Sequence, residues 1–453
     1  MKLPFLLAAT AVLSASASRL IHGVNLGSWL VLEPWMLPEG WVAMGGEICS
    51  NCQDCINSES AFAKAYPDTV DEKFNEHWSS WFTQSDVDQL VAAGINTVRI
   101  PLGWWIVEPL VDRSKEYFPR GGFRQLSRGL KQLKDAGIDV ILDHHALPGI
   151  QVAGQEFTGL CTTDVEFYTP YNYHRALVWT AVMTTFSHLL PEFCNVVAIE
   201  AVNEPIMDAS KTPDYGVFQK NFVEVVRAVE FSLGIPVSGI NSPGPPSDQG
   251  VFGALNFTLT VQNTFNSEVI SALKDSISVI VEMSITYGLS GLSGLFPTAS
   301  RTPLNTAFMD VNWQYNNPSN PADAAIGPQI YDNHLYYSFG GVADANPTAY
   351  LKSMCNLQRV QTDAAMRNSP LVFGEWSLAT QFEATDDFLR QWADAQKMTY
   401  SKGAGWIFWS FKIENSPTAS NFTRVWSYFE GLSRGYLTKD PSAYFNPNVC
   451  DGY

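Results

Sequence analysis

Basic residues are scarce in this chain: Lys and Arg together number 28 against 45 Asp and Glu in 453 residues, a formal net charge of −17. Such a balance argues against nucleic acid or an anionic membrane as a partner, since both would be repelled, and favours an uncharged polymer. Long apolar runs are missing too. After the first eighteen residues no stretch approaches the roughly 18 consecutive apolar residues of a membrane span. Pro/Ser-rich linkers, repeats and low-complexity tails are also absent. The length, which would allow two or three domains, is therefore read as one elaborated domain. No histidine accompanies Cys49-x-x-Cys52-x-x-Cys55, so metal ligation is the weaker reading there and disulfide pairing the stronger. The total of 7 cysteines is odd, which leaves at least one unpaired or bonded to another molecule.

What is present begins with a leader. Lys2 precedes a nearly continuous apolar run from Leu3 to Leu13, followed by Ala15-Ser16-Ala17-Ser18, the pattern of a secretory signal peptide cut after Ala17 or Ser18. Residues 1–18 are thus expected to be removed and 19–453 to form the secreted protein. Removal of Lys2 adds one unit of negative charge. Export fits disulfides, and it gives meaning to two N-glycosylation sequons, Asn256-Phe-Thr258 and Asn421-Phe-Thr423.

Eight strand-like runs alternate with helical patterns. The strands are expected at His22 to Trp29, Ile95 to Leu102, Asp139 to His145, Val196 to Asn203, Ser278 to Ser284, Gln329 to Tyr336, Leu371 to Trp376 and Gly405 to Phe411. Helical spacing covers Ser85 to Ala93, with Ser85 as cap, then Phe123 to Ala136, Arg175 to Leu190, Val217 to Leu233 and Asp386 to Tyr400. Alternation implies parallel strands with right-handed crossovers, and eight units imply closure. The expected fold class is α/β, a single (β/α)8 TIM barrel. Three long connections, Trp35 to Thr69, Pro148 to Tyr173 and Tyr287 to Gly327, would wall a cleft at the C-terminal ends of the strands.

Two strands end in glutamate. Val196-Val-Ala-Ile-Glu-Ala-Val-Asn-Glu204-Pro205 carries Asn203 and Glu204 out of the sheet just where proline stops the ladder, and Leu371-Val-Phe-Gly-Glu375 does the same with Glu375. A lone carboxylate after a strand is more often a solvated loop residue. The pair suits hydrolysis of a glycosidic bond, which needs two carboxyl groups flanking the bond. Other strands end in Arg99, in Asp143-His144-His145, in His334 and Tyr336, and in Trp409. Each alone is more simply an ion pair, a core histidine or a space filler, yet together they would converge on one cavity. Metal-assisted hydrolysis through Asp143, His144 and His145 is disfavoured, because neighbours on a strand face opposite ways.

In this pattern the chain resembles glycoside hydrolase family 5, the cellulase-like (β/α)8 enzymes, from Gly23 to about Phe411. The resemblance implies a retaining mechanism without metal or organic cofactor, with Glu204 as acid/base and Glu375 as nucleophile. It also implies supporting or sugar-binding roles for Arg99, His145, Asn203, His334, Tyr336 and Trp409. His144 stands where relatives often have Leu. Glu204 would then be raised by burial beside a second carboxylate, and Glu375 kept anionic by Arg99 and Tyr336. The opening His22-Gly-Val-Asn-Leu-Gly-Ser-Trp-Leu-Val-Leu-Glu-Pro-Trp35 resembles the fungal glucanase branch, which would put Glu33 on a sugar hydroxyl in the non-reducing subsite; Trp29 is equally readable as packing. Relatives also imply a Cys355–Cys450 disulfide. Exo-acting β-1,3-glucanases usually follow Pro-Gly after the third strand with a segment like Ser-Gln-Asn-Gly-Phe-Asp-Asn-Ser-Gly. Here Pro148-Gly149 leads into Ile150-Gln-Val-Ala-Gly-Gln-Glu-Phe-Thr-Gly-Leu-Cys161. With Met44-Gly-Gly-Glu-Ile-Cys49 and Asp143-His-His-Ala-Leu-Pro-Gly149, that segment resembles the endo-β-1,6-glucanases of the family. The expectation is a secreted, monomeric endo-β-1,6-glucanase acting on β-glucan. An exo-β-1,3-glucanase is the alternative, and a non-catalytic glucan-binding protein the remote one.

Overall fold

In the computed structural model, residues 19–238, 240, 250–260, 264–289, 301–313 and 316–453 are described, the side chain of Phe257 excepted. The leader, Met1 to Ser18, lies outside them, as does part of the connection Tyr287 to Gly327. Eight parallel strands close into a barrel in chain order: β1 Ile21–Asn25, β2 Thr97–Gly103, β3 Asp139–Ala146, β4 Val196–Glu200, β5 Asn305–Met309, β6 Gln329–His334, β7 Leu371–Glu375 and β8 Gly405–Phe408. Closure is made by β1 against β8, with Ile21 opposite Gly405 and His22 opposite Trp406.

Period-two alternation sorts the strand residues into layers. Inside the barrel, Ile141, Ala198, Ala307, Ile330, Val372 and Ile407 form a separate apolar plug. Two residues further along their strands stand Asp143, Glu200 and Asp332, which with Asn25 and Arg99 make a polar layer above the plug. One more step reaches His145 and His334 at the C-terminal mouth. Side chains of the opposite parity, such as Val140, Leu142 and Phe373, join the larger core between barrel and helices.

The helices end where their caps dictate. Thr169 accepts from the amide of Asn172, and Pro170 occupies the first turn, so Pro170–Leu189 begins five residues before the expected Arg175. For Gln84–Ala92 the cap is Thr83 rather than Ser85, because Asp86 reaches back to the Thr83 amide at 2.8 Å.

The fifth strand was misplaced by sequence reading. Ser278 to Ser284 lies inside the helix Ser267–Tyr287, whose buried positions Val269, Ala272, Leu273, Ser276, Val279, Ile280 and Met283 recur every three or four residues. Val281 and Ile285 are exposed on its far side. A β-branched run outweighed the longer helical period in that reading. The strand itself, Asn305-Thr-Ala-Phe-Met309, sits in what looked like an insertion.

Candidate active site

Arg99 is the hub of the polar layer and is fully buried. Its Nε donates to Glu200 Oε2 at 2.7 Å, Nη1 to Glu375 Oε1 at 2.9 Å and to Asn25 Oδ1 at 3.1 Å, and Nη2 to Asn203 Oδ1 at 2.8 Å. Nη2 also lies 3.1 Å from Asp143 Oδ2. One guanidinium thus faces several carboxyl groups, more than a single charge offsets. Burial pushes Asp143 up to about 7 and Glu200 up to about 8, against the pull of Arg99. Gly374 leaves room for another of them. A Cβ at that position would stand 2.0 Å from Asp332 Oδ2, while its amide donates to Asp332 Oδ1 at 2.7 Å.

Above this layer stand the two glutamates. Glu375 closes β7 and is 5 % exposed; Tyr336 donates its hydroxyl to Glu375 Oε2 at 2.7 Å. Glu204 follows β4 with φ 41°, in the left-handed region that side chains disfavour. Its neighbours hold it there. Buried Gln151 donates to the carbonyls of His145 and Asn203, at 2.8 and 3.0 Å, and Tyr168 accepts from the amide of Ile206 at 2.9 Å. The result is one carboxylate oxygen of Glu204 within 4.8 Å of one of Glu375, with a ring nitrogen of His334 within the same distance of both.

His334 sets the balance between them. Its Nδ1 lies 2.7 Å from Glu204 Oε1 and 3.5 Å from Glu375 Oε2, and its Nε2 3.5 Å from Asp332 Oδ2. Burial opposes its charge, but the surrounding carboxylates hold its pKa well above the usual histidine value. Burial raises Glu375 above the ordinary glutamate range, against His334 and Arg99. Burial acts the same way on Glu204, yet the hydrogen bond and charge of His334 outweigh it and leave Glu204 low. In the unliganded protein these directions reverse the expected ones, because the cation sits closer to Glu204. Among the described residues two triads, Glu200/Asp332/His334 and Glu204/His334/Glu375, have donor spacing that would suit a metal. They share His334, whose protonated form has no lone pair to offer.

His145 is neutral, pushed down to about 3 by burial and by Arg99. Its Nδ1 lies 2.6 Å from Asp143 Oδ2, and its ring stacks 5.5 Å from Trp409 at an interplanar angle of 10°. His144 turns the other way and stacks 3.9 Å from Trp179, as strand alternation requires. Trp29 is packing: its indole N–H donates to the Trp78 carbonyl at 2.9 Å and its ring contacts Phe82.

All nine expected site residues meet at one cleft of about 720 Å³. Seven line it directly, namely Glu33, His145, Asn203, Glu204, Tyr336, Glu375 and Trp409, while Arg99 and His334 support the glutamates from beneath. Sequence reading missed its aromatic walls, Trp35, Trp313, Phe339 and Trp426, and the polar layer of Asn25, Glu200 and Asp332. Asp332 lies two residues before the strand-end His334, and Glu200 four residues before Glu204, both on the inward parity of their strands. The three disulfides are Cys49–Cys55, Cys52–Cys161 and Cys355–Cys450, the last as relatives implied, and Cys194 is free.

A closed eight-stranded parallel barrel with paired glutamates at the C-terminal ends of β4 and β7 is the framework of a glycoside hydrolase. Residues 64–415 match the profile described as Cellulase (glycosyl hydrolase family 5). The chain belongs to that family. It is 30% identical over 444 residues to glucan endo-1,6-beta-glucosidase B of Emericella nidulans, covering 96% of this chain and 89% of that one. It is also 35% identical over 481 residues to a probable glucan 1,3-beta-glucosidase A of Aspergillus niger, covering 96% and 91%. Among solved structures, rutinosidase from Aspergillus niger superposes with a TM-score of 0.60 at 16% identity, over 92% of this chain and 97% of that chain. That likeness concerns the fold alone.

Proposed function

We propose that the protein is a secreted, retaining β-glucan hydrolase that cuts β-1,6 linkages within chains. The carrying observation is that an oxygen of Glu204 and one of Glu375 lie within 4.8 Å, which supports the closer spacing of a retaining pair, about 5–5.5 Å, over the wider one of an inverting pair. Glu375, aligned by Arg99 and Tyr336, attacks the anomeric carbon and forms a glycosyl-enzyme bond. Glu204 protonates the departing oxygen, fed by the proton that His334 holds 2.7 Å away. Water then enters, gives its proton to Glu204, and its oxygen breaks the bond to Glu375. Asn203, fixed by Arg99, is placed to bond the sugar 2-hydroxyl, and Trp409 forms the floor beneath the ring. The linkage rests on the relatives named for endo-1,6 action and on the segment Ile150 to Cys161.

A digestion panel of linear β-1,6-, β-1,3- and β-1,4-glucans tests this. The β-1,6 chain is expected to be cut fastest, with short oligosaccharides among the first products. A faster β-1,3 reaction releasing only glucose would support the exo-1,3 alternative; the Aspergillus niger relative's name gives the 1,3 linkage. Proton NMR of the first-formed sugar should show the β-anomer; an initial α-anomer would rule the double displacement out.

A further inference from the structure

Beyond Glu33 the cleft does not meet a wall. A second hollow of about 440 Å³ opens between residues 49–52 and residues 154–157, and it shares Glu33, Trp35, Gln155 and Phe157 with the main cavity. Its sides are joined by Cys52–Cys161, and one rim is tightened by Cys49–Cys55. The Asn57 amide donates to Glu156 Oε1 at 2.6 Å, so the carboxyl group is aimed rather than free.

One buried oxygen here, Glu33 Oε1, lacks a partner among the described residues, while the Glu156 carboxyl, buried at Oε2, also takes the Trp35 backbone amide as a donor. Glu33 is 5 % exposed, and its other oxygen accepts from the Trp35 indole at 2.9 Å. A buried oxygen without a hydrogen bond is costly and calls for a donor. Among the described residues no Lys or Arg lines the hollow, which argues against an anion. Carboxyl groups, the amides of Asn51 and Gln155, and the rings of Trp35 and Phe157 are the set that binds hydroxyls at its edge and C–H faces on its plane. Residues 154–157 belong to the segment that, in exo-acting relatives, was expected to close the pocket behind a terminal sugar.

We infer that this hollow is a further glucosyl subsite on the non-reducing side, holding a unit of the same chain beyond the one contacted by Glu33. It rests on the β-glucan reading, and it supplies a structural basis for cutting within chains, since the non-reducing end has somewhere to go.

Linear β-1,6-linked glucooligosaccharides of increasing length, labelled at the reducing end, test it in the full-length enzyme with Glu156→Gln and Ser50→Trp. Glu156→Gln keeps the side-chain shape. It is expected to lower kcat/KM about tenfold, through KM, on substrates long enough to reach the hollow and to leave the shortest cleaved substrate unchanged. Ser50→Trp should fill the space and move the preferred cut toward the non-reducing end. Calorimetric titration of Glu375→Ala with the longest oligosaccharide, with and without Glu156→Gln, reads the same affinity loss without turnover. Effects equal at all lengths, or none at any, overturn the subsite while the hydrolase reading stands. Failure of the unmodified enzyme to cut any β-glucan overturns both.

Discussion

Glu204 occupies a left-handed backbone conformation that costs on the order of 1–3 kcal/mol. Glu204→Gln keeps that geometry and removes the transferable proton, while Glu375→Ala removes the nucleophile. Each is expected to lose at least about a thousandfold in turnover while still folding; near-normal activity in either would refute the assignment. His334 gives a finer test. Its charge lowers both glutamates, so His334→Gln lets them rise. Because Glu375 must be ionised to attack, the acid limb of the kcat/KM profile should move toward higher pH; a limb that stays in place would show that His334 does not set it. The strand-end groups were legible in the sequence because chemistry of this kind gathers at strand tips. The direction of the proton balance was not, since it depends on which glutamate the His334 Nδ1 approaches. Asn25 and Asp332 stayed hidden for a similar reason, being polar residues inside runs read only for their apolar neighbours.

Glu59 opens the helix Glu59–Ala65 and is wholly buried beneath the β1 loop. One oxygen accepts from the Leu32 amide at 2.7 Å, and burial, opposed by that bond and by one from the Trp105 side chain, pushes the group up from 4.5 to about 8. The unfolded chain therefore loses this proton before the folded one. The stabilisation is complete below the unfolded pKa and is lost as pH rises from near 4.5 through about 8. Melting curves should show stability falling over that window, and Glu59→Gln should flatten the fall by on the order of a few kcal/mol. An unchanged slope would mean Glu59 titrates normally. Seven of the eight strands were legible because each is a short apolar run that ends in a polar tip. β5 has only Asn305-Thr-Ala-Phe-Met309 between loops, too little local pattern to compete with the apolar helix before it. The aromatic walls escaped for a different reason: Trp35, Trp313 and Trp426 come from loops and short helices whose approach only the closed barrel dictates.

Cys355 and Cys450, 95 residues apart in sequence, clamp the C-terminal segment. Neither lines the cleft. Replacing both with serine should cost about 2–5 kcal/mol in denaturant unfolding and leave kcat/KM at low temperature unchanged. A loss of activity without loss of stability would mean that the clamp shapes the cleft. Barrel closure bears on how the protein is made. β1 finds one of its two neighbours in β8, nearly the whole chain away, so a polypeptide still under synthesis carries two bare sheet edges until Gly405–Phe408 has emerged. Chains halted before that point would have no way to cover Ile21–Asn25, and expression of a form ending at residue 400 should yield aggregate rather than a weaker enzyme. Emergence of the last strand is thus itself a folding step, and quality control during synthesis would have to guard the first strand until the last one arrives.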